Sequence, residues 1–338
     1  MGDVPRVSVI MPAYNPGPWL AAAVESVRRQ TLADLELIVV DDGSTDETPQ
    51  LLASVAAEDS RVRVLRRPHE GLCAALNAGV AAARASLTAR LDADDVAHET
   101  RLARQADHMD AHPGIGLLGS WAQEIDGAGR ASGERRPPVD PDELERTLLK
   151  TNPMIHSSIM ARTDLLRRLG GYRPAFEAAE DYDLWLRVAE AAQIANLPEP
   201  LVSYRVHQGS TTARRTLRMA FSARIARRAA MERRRTGSDP FAGLSHPPDW
   251  RETPADACYA EEAALYRWLD GDADPPAGAG AALLGDLTHA ERRLVAQTFL
   301  ARLASGNADA ARSARRLLVR LCCERPSLVL RAAWSLRF

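Results

Sequence analysis

Glu36-Leu37-Ile38-Val39-Val40-Asp41-Asp42-Gly43-Ser44, ELIVVDDGS, is the stretch whose reading decides the fold. Its apolar run is continuous rather than alternating, which is the pattern of a strand covered on both faces in a parallel sheet. Two acids and a glycine end it, and Ser44-Thr45-Asp46-Glu47 then has the spacing of a helix capping box. The same succession recurs on both sides. Val7 to Met11 (VSVIM) stops at Pro12, and Pro18 opens a helix carrying Leu20, Val24 and Val27. Arg61 to Arg66 (RVRVLR) alternates strictly and leads through Gly71 into a small-residue helix ending near Ala83. Leu87 to Leu91 supplies a fourth strand, which delivers the chain into RLDADDVAHE, residues 90–99. Strands alternating with helices at this spacing predict βαβ units, hence an α/β sheet.

From residue 112 the pattern changes toward mixed or antiparallel additions. Ile115 to Ser120 and Ser158 to Ala161 read as strands, and Asp126-Gly127 is a hairpin turn signal. Thr163 to Leu169 reads as a helix closed by Gly170-Gly171, Asp181 to Ala192 as an amphipathic helix, and Leu201 to Val206 as a strand ending at His207. Beyond Ser210 the composition turns to Ala, Arg and Leu, so a boundary is placed there: one domain over 1–210 and a helical extension over 211–338.

The 338 residues exceed the usual ~100–200 of a single domain, and 46% hydrophobic with 26% charged residues is an ordinary globular composition. A net charge of −2 gives no support to a nucleic-acid partner. Cys73, Cys258, Cys322 and Cys323 lack paired or C-x-x-C spacing, which argues against a disulfide framework or zinc site and fits a reducing cytoplasm. The first residues do not read as a signal peptide, and no window is apolar for the ~18 residues a bilayer requires.

In an open α/β sheet ligands bind at the carboxyl ends of the strands. There this chain places Pro12-Ala13-Tyr14-Asn15, then Asp41-Asp42-Gly43-Ser44, then Asp92-Ala93-Asp94-Asp95. Alone, Asp-Asp-Gly-Ser would be an ordinary turn, and Asp95 is expected to cap the helix through Leu102 and Met109. Three acids within four residues, however, repel one another unless a cation neutralises them, and carboxylates plus substrate phosphates form a usual Mg²⁺ or Mn²⁺ environment. Residues two apart on an extended segment face the same way, so Asp92 and Asp94 can share a site while Ala93 leaves room. A dinucleotide reading fails because MPAYNPGPWL lacks G-x-G-x-x-G, and no Walker phosphate loop is present.

VSVIMPAYN, VVDDGSTDET, GLCAALNAG, ARLDADD and AEDYDLWLR, in that order over residues 6–207, resemble glycosyltransferase family 2, whose fold is the GT-A nucleotide-sugar transferase architecture. The resemblance implies that Tyr14 and the backbone around Pro12, Ala13 and Asn15 hold the nucleobase, with Asp42 at its ring edge. It implies that Asp92 approaches the ribose or a metal-bound water, with Ala93 beside it, and that Asp94 ligates Mg²⁺ or Mn²⁺. Asp181 resembles the family's general base, with Glu180 as the alternative occupant. His207 stands where relatives often complete the metal or diphosphate site, and His156 either contacts substrate or orients its loop. Arg90 and Arg67 could meet phosphate, but arginine is too abundant here to be diagnostic.

The expected activity is inverting transfer of a single sugar from a UDP- or dTDP-sugar donor to a glycan or lipid-linked saccharide, since Q-x-x-R-W and membrane helices of processive members do not occur. The rival is a catalytically silent nucleotide-sugar-binding or scaffolding member. Basic and apolar residues interleave at helical spacing in Arg214 to Arg235 and again in Ala311 to Phe338. They suit either peripheral contact with an anionic membrane or core helices with solvated arginine faces.

Overall fold

The computed structural model describes residues 4–207, 216–252, 257 and 259–270. They belong to two compact units divided between residues 214 and 215.

The larger unit is built on a sheet of nine strands in the order β3-β2-β1-β4-β8-β6-β9-β5, with β7 paired to β6. The first four in sequence are β1 (Val7–Ala13), β2 (Leu35–Asp41), β3 (Val62–Arg66) and β4 (Leu87–Arg90). All their mutual pairings are parallel. Every residue of β1 and β2 is buried, as their unbroken apolar runs require. α1 (Leu20–Arg28), α2 (Thr48–Glu58) and α3 (Leu72–Ala82) follow β1, β2 and β3 in turn. On α3, Gly79 lies so close to the sheet that a Cβ there would collide with Ile10 Cγ2.

Because β2 and β4 flank β1, the strand order reverses at β1, and the loops leaving β1 and β4 diverge to leave a crevice. Past β4 the sheet turns antiparallel through β8 (Met160–Arg162), which pairs with both β4 and β6 (Ile115–Ile125). β6 turns through residues 126–130 into β7 (Ala131–Arg135), so the Asp126-Gly127 signal is a hairpin.

β9 (Gln193–Arg205) is longer than the periodicity predicts, and it runs parallel to β6. Its Pro198 and Pro200 donate no ladder hydrogen bonds, and the register with β6 shifts there, between Ser120 and Trp121. The two-residue β5 (Val96–Ala97) pairs with β9 and pins the segment just after the acidic cluster.

Three helix starts differ from expectation. α2 begins at Thr48, whose N–H is accepted by Asp46 Oδ1 at 3.0 Å, while Ser44 is drawn away to accept from Asn15 N–H. α4 (Arg101–Ala111) has Thr100 at its N-cap, so Asp95 does not cap it; β5 intervenes, and Asp95 instead accepts from Arg205 N–H at 2.7 Å. α7 runs over Glu180–Ala189, a residue earlier than its predicted start.

In the second unit the helix Thr216–Thr236 buries Phe221, Ile225, Ala226, Ala229 and Ala230. Phe221 packs edge-on to Trp250 and Tyr266 at centroid distances of 5.2 and 5.0 Å, and Arg228 pairs with Glu262 at 2.7 Å. The apolar stripe of that basic run is therefore spent on the unit's own core. Ala311 to Phe338 lies outside the described residues. Among the described residues no helix is long and apolar enough to cross a membrane.

Candidate active site

The first wall of the crevice joins the loops after β1 and β2. Asn15 takes a left-handed backbone (φ 45°), and its Oδ1 accepts from the N–H groups of Thr45 (2.8 Å) and Asp46 (3.3 Å). Pro12 and Ala13 are the buried end of β1, where the Ala13 carbonyl accepts from Asp42 N–H at 2.9 Å. The Asp42 carboxylate is turned onto the next loop, accepting from Glu70 N–H (2.9 Å) and Gly71 N–H (3.0 Å), with His69 Nδ1 at 2.8 Å. That places the His69 ring against the exposed Tyr14 ring, stacked at 3.8 Å and 15°.

Gly43 lets the loop close. Its φ is +79°, and an added Cβ would stand 2.9 Å from His69 N. Gly43→Ala is expected to destabilise the protein by about 1–3 kcal/mol through the backbone strain alone. Thermal unfolding measures the loss, and an unchanged melting temperature would show that the loop can re-route.

The second wall is the acidic edge after β4. Burial alternates as the period of two predicts: Asp92 and Asp94 are half-buried, while Ala93 and Asp95 are buried. Their carboxylates lie together, each residue offering an oxygen such that all lie within 4.8 Å of one another. Asp92 is not free of partners. The almost fully buried Arg90 grips it with two guanidinium nitrogens, and Ser157 Oγ donates to Asp92 Oδ2 at 2.9 Å. Burial, then the charges of Asp92 and Asp94, push the Asp95 carboxyl up to about 8. Burial and then Asp92 also raise Asp94, against the opposing hydrogen bond from His207.

His207, two residues past β9, approaches Asp94 Oδ2 with Nε2 at 3.1 Å, and its ring lies 4.4 Å from that of Trp19. Arg205 fixes this corner from behind: its guanidinium donates to the carbonyls of Asp94 (2.7 Å) and Asp126 (2.9 Å).

The third wall is the first turn of α7. Before it, Ala178 holds a strained left-handed φ of 68°, and the helix then presents Glu180 and Asp181. Asp181 Oδ1 accepts from Tyr182 N–H (2.6 Å) and Oδ2 from Asn152 Nδ2 (2.8 Å). Its carboxyl is raised by burial, which outweighs those hydrogen bonds and the Arg90 charge. Glu180 is buried, and burial followed by the Asp181 charge pushes its carboxyl up to about 7. Asp183, two residues after Asp181, is wholly buried and paired with both Arg173 and Arg187.

His156 faces this group from the loop before β8, with Nε2 3.0 Å from Tyr172 Oη and its ring edge-on to Trp185. Burial and then Arg90 hold its pKa well below the usual value, so it is a neutral imidazole.

Arg90 unites the walls. Its charge acts on Asp94, Glu180, Asp181, His156 and Tyr172, and its own cation is favoured by Asp92 and Asp95 against the penalty of burial. In the sequence Arg90 is one arginine among many, a candidate for phosphate contact that abundance leaves undistinguished. The available signal was spacing: Arg90 precedes Asp92 by two on an extended segment, hence on the same face. Asn152, Ser157 and Arg205 carried no comparable signal, since they reach the acids from elements distant in the chain.

A sheet whose order reverses at β1, with an acidic loop after β4 and antiparallel additions beyond, is the GT-A architecture of nucleotide-sugar glycosyltransferases. Two solved structures share that fold. Residues 1–349 of S. aureus TarS in complex with UDP-GlcNAc superpose with a TM-score of 0.58 at 17% identity, over 92% of this chain and 90% of that one. The mannosyltransferase PcManGT from Pyrobaculum calidifontis, in complex with GDP-Man and Mn²⁺, gives 0.54 at 20% identity, over 97% and 86%.

The sequence model of glycosyl transferase family 2 matches residues 8–170. The O-antigen biosynthesis glycosyltransferase WbnJ of Escherichia coli is 31% identical over 209 residues, which are 61% of this chain and 81% of that protein. The chain belongs to glycosyl transferase family 2. It spans only 23% of a much longer relative, the uncharacterized protein y4gI of Sinorhizobium fredii, at 35% identity.

Proposed function

We propose that the protein is an inverting, metal-dependent glycosyltransferase that moves one sugar from a UDP- or dTDP-sugar to a hydroxyl of a glycan or lipid-linked saccharide. The observation that carries the reading is that two separate acid groups, Asp92 with Asp94 and Glu180 with Asp181, surround one buried arginine on the same edge of the sheet. A nucleotide-binding module needs only the first group.

The donor set fits a hard or borderline divalent cation, because three carboxylates and an imidazole converge, and two of those carboxyls are raised by burial and then by their like-charged neighbours. Asp94, Asp92 and His207 are the residues that would hold Mn²⁺ or Mg²⁺, and such an ion would supply positive charge to a diphosphate leaving group. Tyr14 offers the exposed ring for a nucleobase, with Pro12, Ala13, Asn15 and Asp42 shaping the loop beneath it. Asp181 takes the proton of the acceptor hydroxyl as it attacks the anomeric carbon from the face opposite the diphosphate. Glu180 is the alternative base. His156 stays neutral and lines the pocket beside Tyr172.

Nucleotide release measured over a panel of UDP-, dTDP- and GDP-sugars, with Mn²⁺ and with EDTA, tests the reading. Metal-dependent release from at least one donor is expected; binding without release from any would favour a silent, scaffolding member. Asp94→Asn is expected to weaken Mn²⁺-dependent UDP binding by roughly tenfold or more. Calorimetry with and without EDTA reads this, and equal affinity in all arms would remove the metal from the mechanism.

A further inference from the structure

The segment between α5 (Pro141–Leu148) and β8 carries Thr151-Asn152-Pro153-Met154 and reaches the Asp181 carboxylate. A residue before proline is restricted to extended backbone, so Asn152 has little freedom in its main chain. Its side chain is fixed as well, since Oδ1 accepts from Met154 N–H at 3.0 Å and closes an Asx turn over Pro153. That bond assigns the amide: the oxygen faces Met154, and the nitrogen faces Asp181 Oδ2 at 2.8 Å. The end of α5, just before this segment, is also tied to α7, where Tyr182 Oη donates to the Leu148 carbonyl at 2.6 Å. Asp181 thus has one oxygen held by the helix through Tyr182 N–H and the other by Asn152.

We infer that Asn152 is a positioning residue, a preset donor that fixes the Asp181 carboxylate so that its remaining lone pairs face the acceptor hydroxyl. The inference rests on Asp181 being the base. Turning a carboxylate about its Cβ–Cγ bond redirects every lone pair, and a base that must meet a proton in line loses rate when it rotates.

Asn152 also favours the charged form of Asp181, working with Arg90 from β4 and Tyr182 N–H against burial. The other titratable groups around Asp181 are Glu180 beside it, and Tyr172 and Cys73, both of which burial holds in their neutral forms.

Two variants separate positioning from turn formation. Asn152→Ser keeps a turn-forming acceptor for Met154 N–H and adds no charge, but is too short to donate to Asp181; Asn152→Ala removes both functions. Aspartate side-chain carboxyls labelled with ¹³C, the Asp181 signal assigned by its loss in Asp181→Asn, give the titration midpoint without any assay of activity. Both Asn152 variants are expected to move that midpoint upward, and a shift of one unit means about tenfold less of the basic form below it. Turnover of whichever panel donor is active should accordingly fall more at pH 6 than at pH 8, with UDP affinity unchanged.

An Asp181 midpoint equal to wild type in both variants overturns the inference. So does a wild-type Asn152→Ser beside an impaired Asn152→Ala, which would leave only the turn. If Asp181→Asn keeps its turnover, the base reading itself fails, whatever the Asn152 variants do.

Discussion

Asp181→Asn should bind UDP with Mn²⁺ as the wild type does and lose turnover by roughly 10²–10⁴-fold, the usual worth of a general base. The amide is close in shape to the carboxylate, and Tyr182 N–H and Asn152 can still contact it, so the fold has little reason to respond. What disappears is the basic lone pair. Binding measured by calorimetry and turnover measured on the same sample separate the two effects. If turnover stays near normal, Glu180 becomes the base to test, since its buried carboxyl, up to about 7, is also poised to exchange a proton near neutral pH.

Asp183→Ala should do the reverse, lowering stability by about 3–5 kcal/mol, because it strips the partner from buried positive charge. Asp183 is fully buried, and Arg187 approaches it with Nη2 at 2.8 Å and Nε at 3.0 Å while Arg173 grips its other side. Arg187 also donates to the carbonyls of Leu169 and Gly171, so the pair ties α7 to the turn after α6 (Thr163–Arg168). Chemical unfolding of this variant beside Asp181→Asn gives the contrast: one loses its midpoint, the other its turnover. An Asp183→Ala midpoint within the error of wild type would show that the arginines find other partners, and the assignment of Asp183 as a structural acid would fall.

These two acids lie two residues apart in EDYDLWLR, and nothing in the string alone divides them. The division comes from the helix. Residues two apart on α7 point to different sides, so Asp181 meets the crevice and Asp183 the arginines behind it. The RLDADD cluster divides in a similar way. Asp94 faces His207, Asp92 is shared with Arg90, and Asp95 turns inward to the Arg205 amide. Composition alone makes Asp95 a helix cap, but β5 lies in the chain between that residue and α4.

The sequence by itself determined the parallel half of the sheet. There β1 and β2 announce themselves by unbroken apolar runs and β3 by its alternation, and each of these three is followed by its own polar turn and helix. It also placed Tyr14, Asp42, Asp92 and Asp94 at strand ends, because local spacing fixes which end of a strand a residue occupies. Only the tertiary structure decided which of those side chains are already engaged, which arginine sits among the acids, and which distant residues hold them. Asn152, Ser157, Arg205 and His207 reach the site from far along the chain. Such contacts depend on where whole elements pack, which no local periodicity encodes.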